Sequence, residues 1–304
     1  MGHRILYIPK PDISTGEQFI AGVDGGRLYH KLKNGSWTEE RPAGDTNQKW
    51  FWGDVYQGKA IAAVFGGRLY YYNGTSWSEE QPSGDVNRNW IGVAIYGTQK
   101  MAVSQILSGE GGRVYYYNGS SWSEHQPAGD VNINWVGCAL YAGKMLAGVV
   151  NGRLYYYNGS SWSEQQPAGD VNRIWQALGI YGNKMIAGIN LNTNGRLYYY
   201  NGSSWSEQQP AGDVNINWRS ASIWEDKMVA VNYGGRAYYF NGSSWSEIQP
   251  AGDTNQNWSS CSIYENKITL SVNGGRLYYY DGSSWTEEQP LGDNNANWRV
   301  FLNN

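Results

Sequence analysis

The chain has 304 residues, a formal net charge of −3 and a charged fraction of 16%; it has no basic run that would neutralise a line of phosphates, which argues against nucleic acid as a partner. No stretch approaches the roughly 20 apolar residues that cross a bilayer as a helix, so membrane insertion is not expected. Tyr and Trp are heavily used (25 and 16), Gly reaches 40 and Phe only 5, which suits short strands and tight turns in an all-β chain.

In chain order, Met1-Gly2-His3-Arg4 opens onto a short Ile5-Leu6-Tyr7-Ile8 run ended by Pro9, too short for a signal peptide. Residues 1–14 read as an N-terminal arm. From Gln18 onward the second, third and fourth strands of a first unit are recognisable, with no Trp before them. A phrase Pro-x-Gly-Asp-x-Asn-x-x-Trp then occurs seven times, ending at Trp50, Trp90, Trp135, Trp175, Trp218, Trp258 and Trp298, and takes seven of the nine prolines. In step with it runs Gly-Arg-[Leu/Val/Ala]-Tyr, placing Arg27, Arg68, Arg113, Arg153, Arg196, Arg236 and Arg276. A third phrase, Gly, one or two Ser or Thr, then Trp-[Ser/Thr]-Glu, places Trp37, Trp77, Trp122, Trp162, Trp205, Trp245 and Trp285.

The unit that begins at Trp175 divides into Trp175 to Tyr181, Lys184 to Ile189, Arg196 to Tyr200 and Trp205 to Pro210, the last two joined at Asn201-Gly202 as a hairpin. Four strands per roughly 40 residues describe a propeller blade. The chain ends on Trp298 to Asn304, one strand long. It supplies the strand that the first unit lacks, although Arg4 to Ile8 compete for that place. The expected fold is therefore one all-β domain over 1–304, a seven-bladed β-propeller with four antiparallel strands per blade. Its ring is closed by the C-terminal strand, 298–304, joining the N-terminal blade.

Each repeated residue has a structural reading and a functional one. The Trp298 class either packs between blades or stacks on a ligand. With a four-residue hairpin loop, Tyr157 faces Trp162, Tyr155 faces Glu164, and Arg153 reaches Glu164 diagonally for a cross-strand ion pair; the alternative is that Arg and Glu hydrogen-bond a polar ligand. Asp130-Val-Asn-Ile-Asn134 matches the opening of a calcium loop, but it lacks the turn Gly, a second carboxylate and the closing Glu, so no metal is expected. Cys138 and Cys261 occupy small buried strand positions in non-adjacent repeats, and no disulfide is expected between them.

Gly-Ser-Ser-Trp followed by Ser-Glu resembles the end of the Asp-box, or BNR, repeat of sialidases and sortilin-like proteins, along the whole chain. The Asp that names the box is replaced at Tyr157 and Tyr200, so what carries over is a hairpin signature. The repeat number and the Tyr, Trp, Asn and Ser content also resemble the seven-bladed propeller lectins of bacteria and fungi. That resemblance implies sugar sites around the ring and action outside the cell or at its surface.

Three functions follow. An enzyme needs a unique constellation, and His3, His30 and His125 fall at unrelated repeat positions; catalysis and a cofactor are not expected. A multivalent carbohydrate-binding protein explains the repetition, because weak sites gain avidity together. Its candidate glycan site is the interblade loop and the Trp after it: Asp45, Asn47 and Trp50; Asp85, Asn87 and Trp90; Asp130, Asn132 and Trp135; Asp170, Asn172 and Trp175; Asp213, Asn215 and Trp218; Asp253, Asn255 and Trp258; Asp293, Asn295 and Trp298. The alternative is a protein-interaction or structural scaffold, recently duplicated or designed. Its support is where the copies differ: around the repeated Trp, as at Phe51, Gln176, Arg219 and Arg299, and in insertions at Leu107 to Glu110 and Leu191 to Asn194. Those positions point to a protein partner on a variable rim.

Overall fold

The computed structural model describes residues 18–32, 35–106, 111–191, 193–292 and 294–303; the arm expected over 1–14 lies outside them. These residues form 28 strands and no helix.

The unit beginning at Trp175 shows how the phrases become strands. Trp175–Tyr181, Lys184–Ile189, Leu197–Tyr200 and Trp205–Gln208 pair antiparallel in that order. The first two strands of a unit meet in a two-residue turn with positive φ, as at Ala142 and Gly143 (47° and 79°), the handedness that matches strand twist. The hairpin between the third and fourth strands is held by its Asn: Asn201 Oδ1 accepts from the Ser203 and Ser204 N–H groups at 2.9 and 3.0 Å. In the preceding unit this loop sets Tyr157 opposite Trp162 and Tyr155 opposite Glu164, as the sequence predicts.

The pattern recurs along the chain. At its end, Ala296–Asn303 pairs antiparallel with Gln18–Gly26, Val300 opposite Gly22 and Trp298 opposite Val23. Leu28–Leu32 and Thr38–Glu40 complete that set.

Successive units share their cores. Ala177, Ile186 and Leu197 pack against Trp218, Ile223 and Tyr238 of the next unit, while Leu277 packs with Trp298, Phe19 and Tyr29. The approach is close enough that a β-carbon added at Gly188 would lie 2.8 Å from Trp218 Cβ, which is why that position has no side chain. On the outer strands several indole N–H groups bond between units: Trp205 donates to Gln165 of the preceding unit at 3.1 Å and Trp245 to Gln208 at 3.0 Å, while Trp37 near the start of the chain donates to Glu288 near its end at 2.9 Å.

The first strand of each set lines a central cavity of about 150 Å³. Small residues face it at one register, among them Ala94, Ala139, Gly179, Ser222 and Ser262. At the far ends of these strands Tyr56, Tyr96, Tyr141, Tyr181, Trp224 and Tyr264 follow one another with ring centroids 4.3 to 4.9 Å apart. Burial pushes the phenols of Tyr56 and Tyr141 above their ordinary range.

Candidate functional site

The structure separates the three residues that the repeat offered as a sugar site. Trp50, Trp90, Trp135, Trp175, Trp218, Trp258 and Trp298 are each only 1–2% exposed. All seven meet a third-strand tyrosine of their own set edge-on, as in Trp175–Tyr198 and Trp298–Tyr29, both at 6.0 Å. No ring face is open for a sugar to stack on, so these tryptophans are core residues. Asn47, Asn87, Asn132, Asn172, Asn215, Asn255 and Asn295 are exposed. Asp45, Asp85, Asp130, Asp170, Asp213 and Asp253 are exposed too, while Asp293 lies outside the described residues.

Each described aspartate of this loop is held by the repeated arginine of its own unit. Arg196 Nη1 lies 2.7 Å from Asp213 and 3.5 Å from Glu207, and the Gln209 amide donates to Glu207 at 3.1 Å. The Arg–Glu pair expected from the strand register recurs at 3.4 to 3.8 Å in every unit. The sequence did not predict the aspartate as a second acceptor, and Asp130, at the head of the calcium-like loop, is occupied by Arg113 at 2.9 Å. These carboxylates are mostly in water, where an ion pair contributes little. Asp213→Asn is therefore expected to change stability by less than about 1 kcal/mol in a thermal melt followed by circular dichroism; a loss above about 2 kcal/mol would contradict this account.

A different set of residues converges. Immediately after each repeated Trp the first strand carries a register shift, at Trp50/Trp52, Trp175/Ala177 and Trp218/Ser220 for example. The residue in the shift has no partner opposite it, and a bulge of this kind re-aims its side chain. Those residues are Phe51, Ile91, Val136, Gln176, Arg219, Ser259 and Arg299, a position at which the copies differ. Phe51, Arg219 and Arg299 line one pocket of about 350 Å³ together with Asn190, Asn217, Tyr233 and Asn273. Phe51 also packs beside a cluster that contains Ile91 and Val136. Ile91 and Val136 are themselves buried, as are Gln176 and Ser259, so the non-repeating residues that open onto the pocket are Phe51, Arg219 and Arg299.

Within it, Arg299 is anchored, with Nε and Nη2 both 3.3 Å from Asp24 Oδ2 and its guanidinium carbon 5.4 Å from the Phe51 ring centre. Arg219 has no such anchor. Its Nε is buried without a hydrogen-bond partner, as are Asn217 Oδ1 and Asn273 Oδ1. Burial, reinforced by the positive charge of Arg299, pushes Arg219 down to about 10, so it remains a cation at neutral pH.

Deeper in the central cavity Asp54 stands where five other units carry the small neutral residues Ala94, Ala139, Gly179, Ser222 and Ser262. Its carboxylate accepts from Val55 N at 2.9 Å and from Ile95 N of the next unit at 2.8 Å. Burial outweighs these two donors and raises it to about 7. Cys138 and Cys261 are free and buried, and burial pushes the Cys261 thiol up to about 12, the environment of an inert structural thiol. Of the described histidines, His30 bonds Gln18 at 3.1 Å and His125 accepts the Trp162 indole N–H at 3.0 Å.

No protein-family model and no curated protein matches the sequence, so the BNR resemblance rests on its hairpin alone. Solved structures do match. The computationally designed Ika8 protein aligns with a TM-score of 0.63 at 10% identity, covering 91% of this chain and 85% of that one. YCF48 bound to D1 peptide aligns at 0.55 with 14% identity, over 79% and 81%. A chain of a nidogen/laminin complex aligns at 0.56 with 10% identity, over 95% and 98%. At these identities the likeness is one of fold: an all-β chain of the β-propeller type.

Proposed function

We propose that the chain is a closed seven-bladed β-propeller, one domain, that acts as a non-enzymatic protein-interaction scaffold and takes a single partner segment at the mouth where its inner strands begin. Closure is supported by the pairing of Ala296–Asn303 with Gln18–Gly26. It is also supported by bonds that join the unit ending at Glu288 to the first one, Trp37 to Glu288 at 2.9 Å and Lys31 to Glu288 at 2.7 Å.

The observation that carries the functional reading is the convergence of the non-repeating residues. Seven near-identical copies differ at the bulge, and three of those differences, Phe51, Arg219 and Arg299, line one pocket. A multivalent sugar site would require the reverse arrangement, with the repeated residues facing solvent together. Here the repeated Trp is buried and the repeated Asp is neutralised by Arg. A fold of this type takes a peptide in YCF48 and is found in a complex of nidogen and laminin, so the architecture accommodates such a partner.

Selection of a displayed random peptide library on the full chain tests this. Enriched peptides are expected to lose binding to the Phe51→Ala, Tyr233→Ala double variant and to keep it with Asp213→Asn. Peptides indifferent to the double variant would place the interaction elsewhere and refute the reading.

A further inference from the structure

The pocket at this mouth carries more chemistry than a generic docking surface. Arg219 brings a guanidinium whose Nε is buried without a hydrogen-bond partner. Arg299, the second cation of the pocket, shares one carboxylate, Asp24, at 3.3 Å. Two guanidiniums therefore line one cavity and only Arg299 is paired with an acid, while each raises the cost of the other's charge. A buried donor without an acceptor destabilises the empty pocket, and an incoming anion would relieve that cost.

Beside the cations stand Asn217 and Asn273, each with a buried amide oxygen that accepts nothing. These need N–H donors. Phe51 and the partly exposed Tyr233 supply flat apolar walls. A ligand that satisfies all three demands offers an anion, adjacent N–H groups and some apolar surface within about 350 Å³. Inorganic phosphate or sulfate supplies only the first. An extended peptide supplies all three.

We infer that this pocket is a carboxylate-reading site, in which Arg219 with Arg299 binds a carboxylate of an extended peptide and Asn217 and Asn273 accept its backbone N–H groups. The inference rests on the protein-interaction reading above and names its ligand. The carboxylate comes from a free C-terminus or from an Asp or Glu side chain, and the two present the same group to the arginines.

The test uses two arrays of random octapeptides, one with free C-terminal carboxylates and one amidated, probed with the labelled full chain. Bound peptides are expected to be acidic or to depend on a free terminus. Loss of binding in the amidated array assigns the terminus, and retention there by Asp- or Glu-containing peptides assigns the side chain. Arg219→Gln is expected to weaken the best peptide by about ten-fold or more, with partial recovery in Arg219→Lys, because the guanidinium's paired donors are replaced by a point charge. As a measurement that needs no variant, affinity for the unmodified chain should fall as salt rises.

Neutral peptides that bind at a mouth sensitive to Phe51→Ala but indifferent to Arg219→Gln and to salt would overturn the carboxylate assignment and leave the protein-interaction reading standing. Silence of both arrays would overturn the two together.

Discussion

Trp175→Ala is expected to destabilise the chain by about 3 to 5 kcal/mol, the range for removing a large aromatic side chain from a packed core. Trp175 is 1% exposed and packs with Leu146 and Leu154 of the preceding unit and with Leu178, Met185 and Tyr198 of its own. The preceding unit has no room to move inward and fill the space, because its backbone at Gly148 already touches the Trp175 side chain: a β-carbon there would lie 2.8 Å from Trp175 Cβ. The cavity would therefore persist, and both units around it would lose contacts. A urea unfolding curve reads the effect as a lower midpoint with an unchanged slope. A ligand-stacking role predicts the opposite, a loss of binding with stability nearly intact. A change below about 1 kcal/mol would make Trp175 a ligand residue again.

The second large effect is a dependence of stability on pH that originates at Asp54. Its carboxyl is raised from 3.8 to about 7 by burial, against the donors Ile95 N and Val55 N. Between those values the unfolded chain has released the proton and the folded chain still holds it. The folded state thus binds more protons, and stability falls as pH rises from about 4 to about 7, then levels off. A carboxyl displaced that far costs the folded state about 4 kcal/mol at most once both forms are ionised.

Ser222, at the equivalent position four units on, shows how the same bond is made without a charge, accepting from Ile263 N of its neighbour at 3.2 Å. Asp54→Ser is therefore expected to match the unmodified chain near pH 4 and to exceed it by a few kcal/mol near pH 8. Comparing the two proteins cancels the titration of the carboxylates they share. A difference that does not change with pH would mean that Asp54 is solvated and ionises normally.

What could be read from the sequence was whatever a local turn or a repeated spacing determines. The Asn-Gly hairpin fixes strand register, so Tyr155 opposite Glu164 and the Arg153–Glu164 pair follow from counting residues. The strands of the Trp175 unit fall within two residues of their expected bounds for the same reason. The Asp–Arg pairs were hidden because they depend on the path of an interblade loop that returns Asp213 to an arginine seventeen residues earlier.

Whether a strand tryptophan faces a neighbour or a ligand depends on what packs against it, and residue type alone does not decide that. The indole bonds between units were equally hidden, since their acceptor changes from Glu288 to Glu80, His125 and Gln165. The bulge after each Trp has no sequence signature. Variation at Phe51, Arg219 and Arg299 was visible, but its convergence on one pocket was not.

The most direct test of the account is the stoichiometry of binding, by titration calorimetry of the best library-selected peptide into the full chain, alongside a glycan array probed with the same protein. The account predicts one peptide per chain, lost in Phe51→Ala, Tyr233→Ala and unaffected by Asp213→Asn, and no sugar whose binding depends on the repeated aspartates. Several equivalent sugar sites per chain, weakened together by replacing Asp213 and its counterparts, would contradict it and make the repeat itself the binding surface.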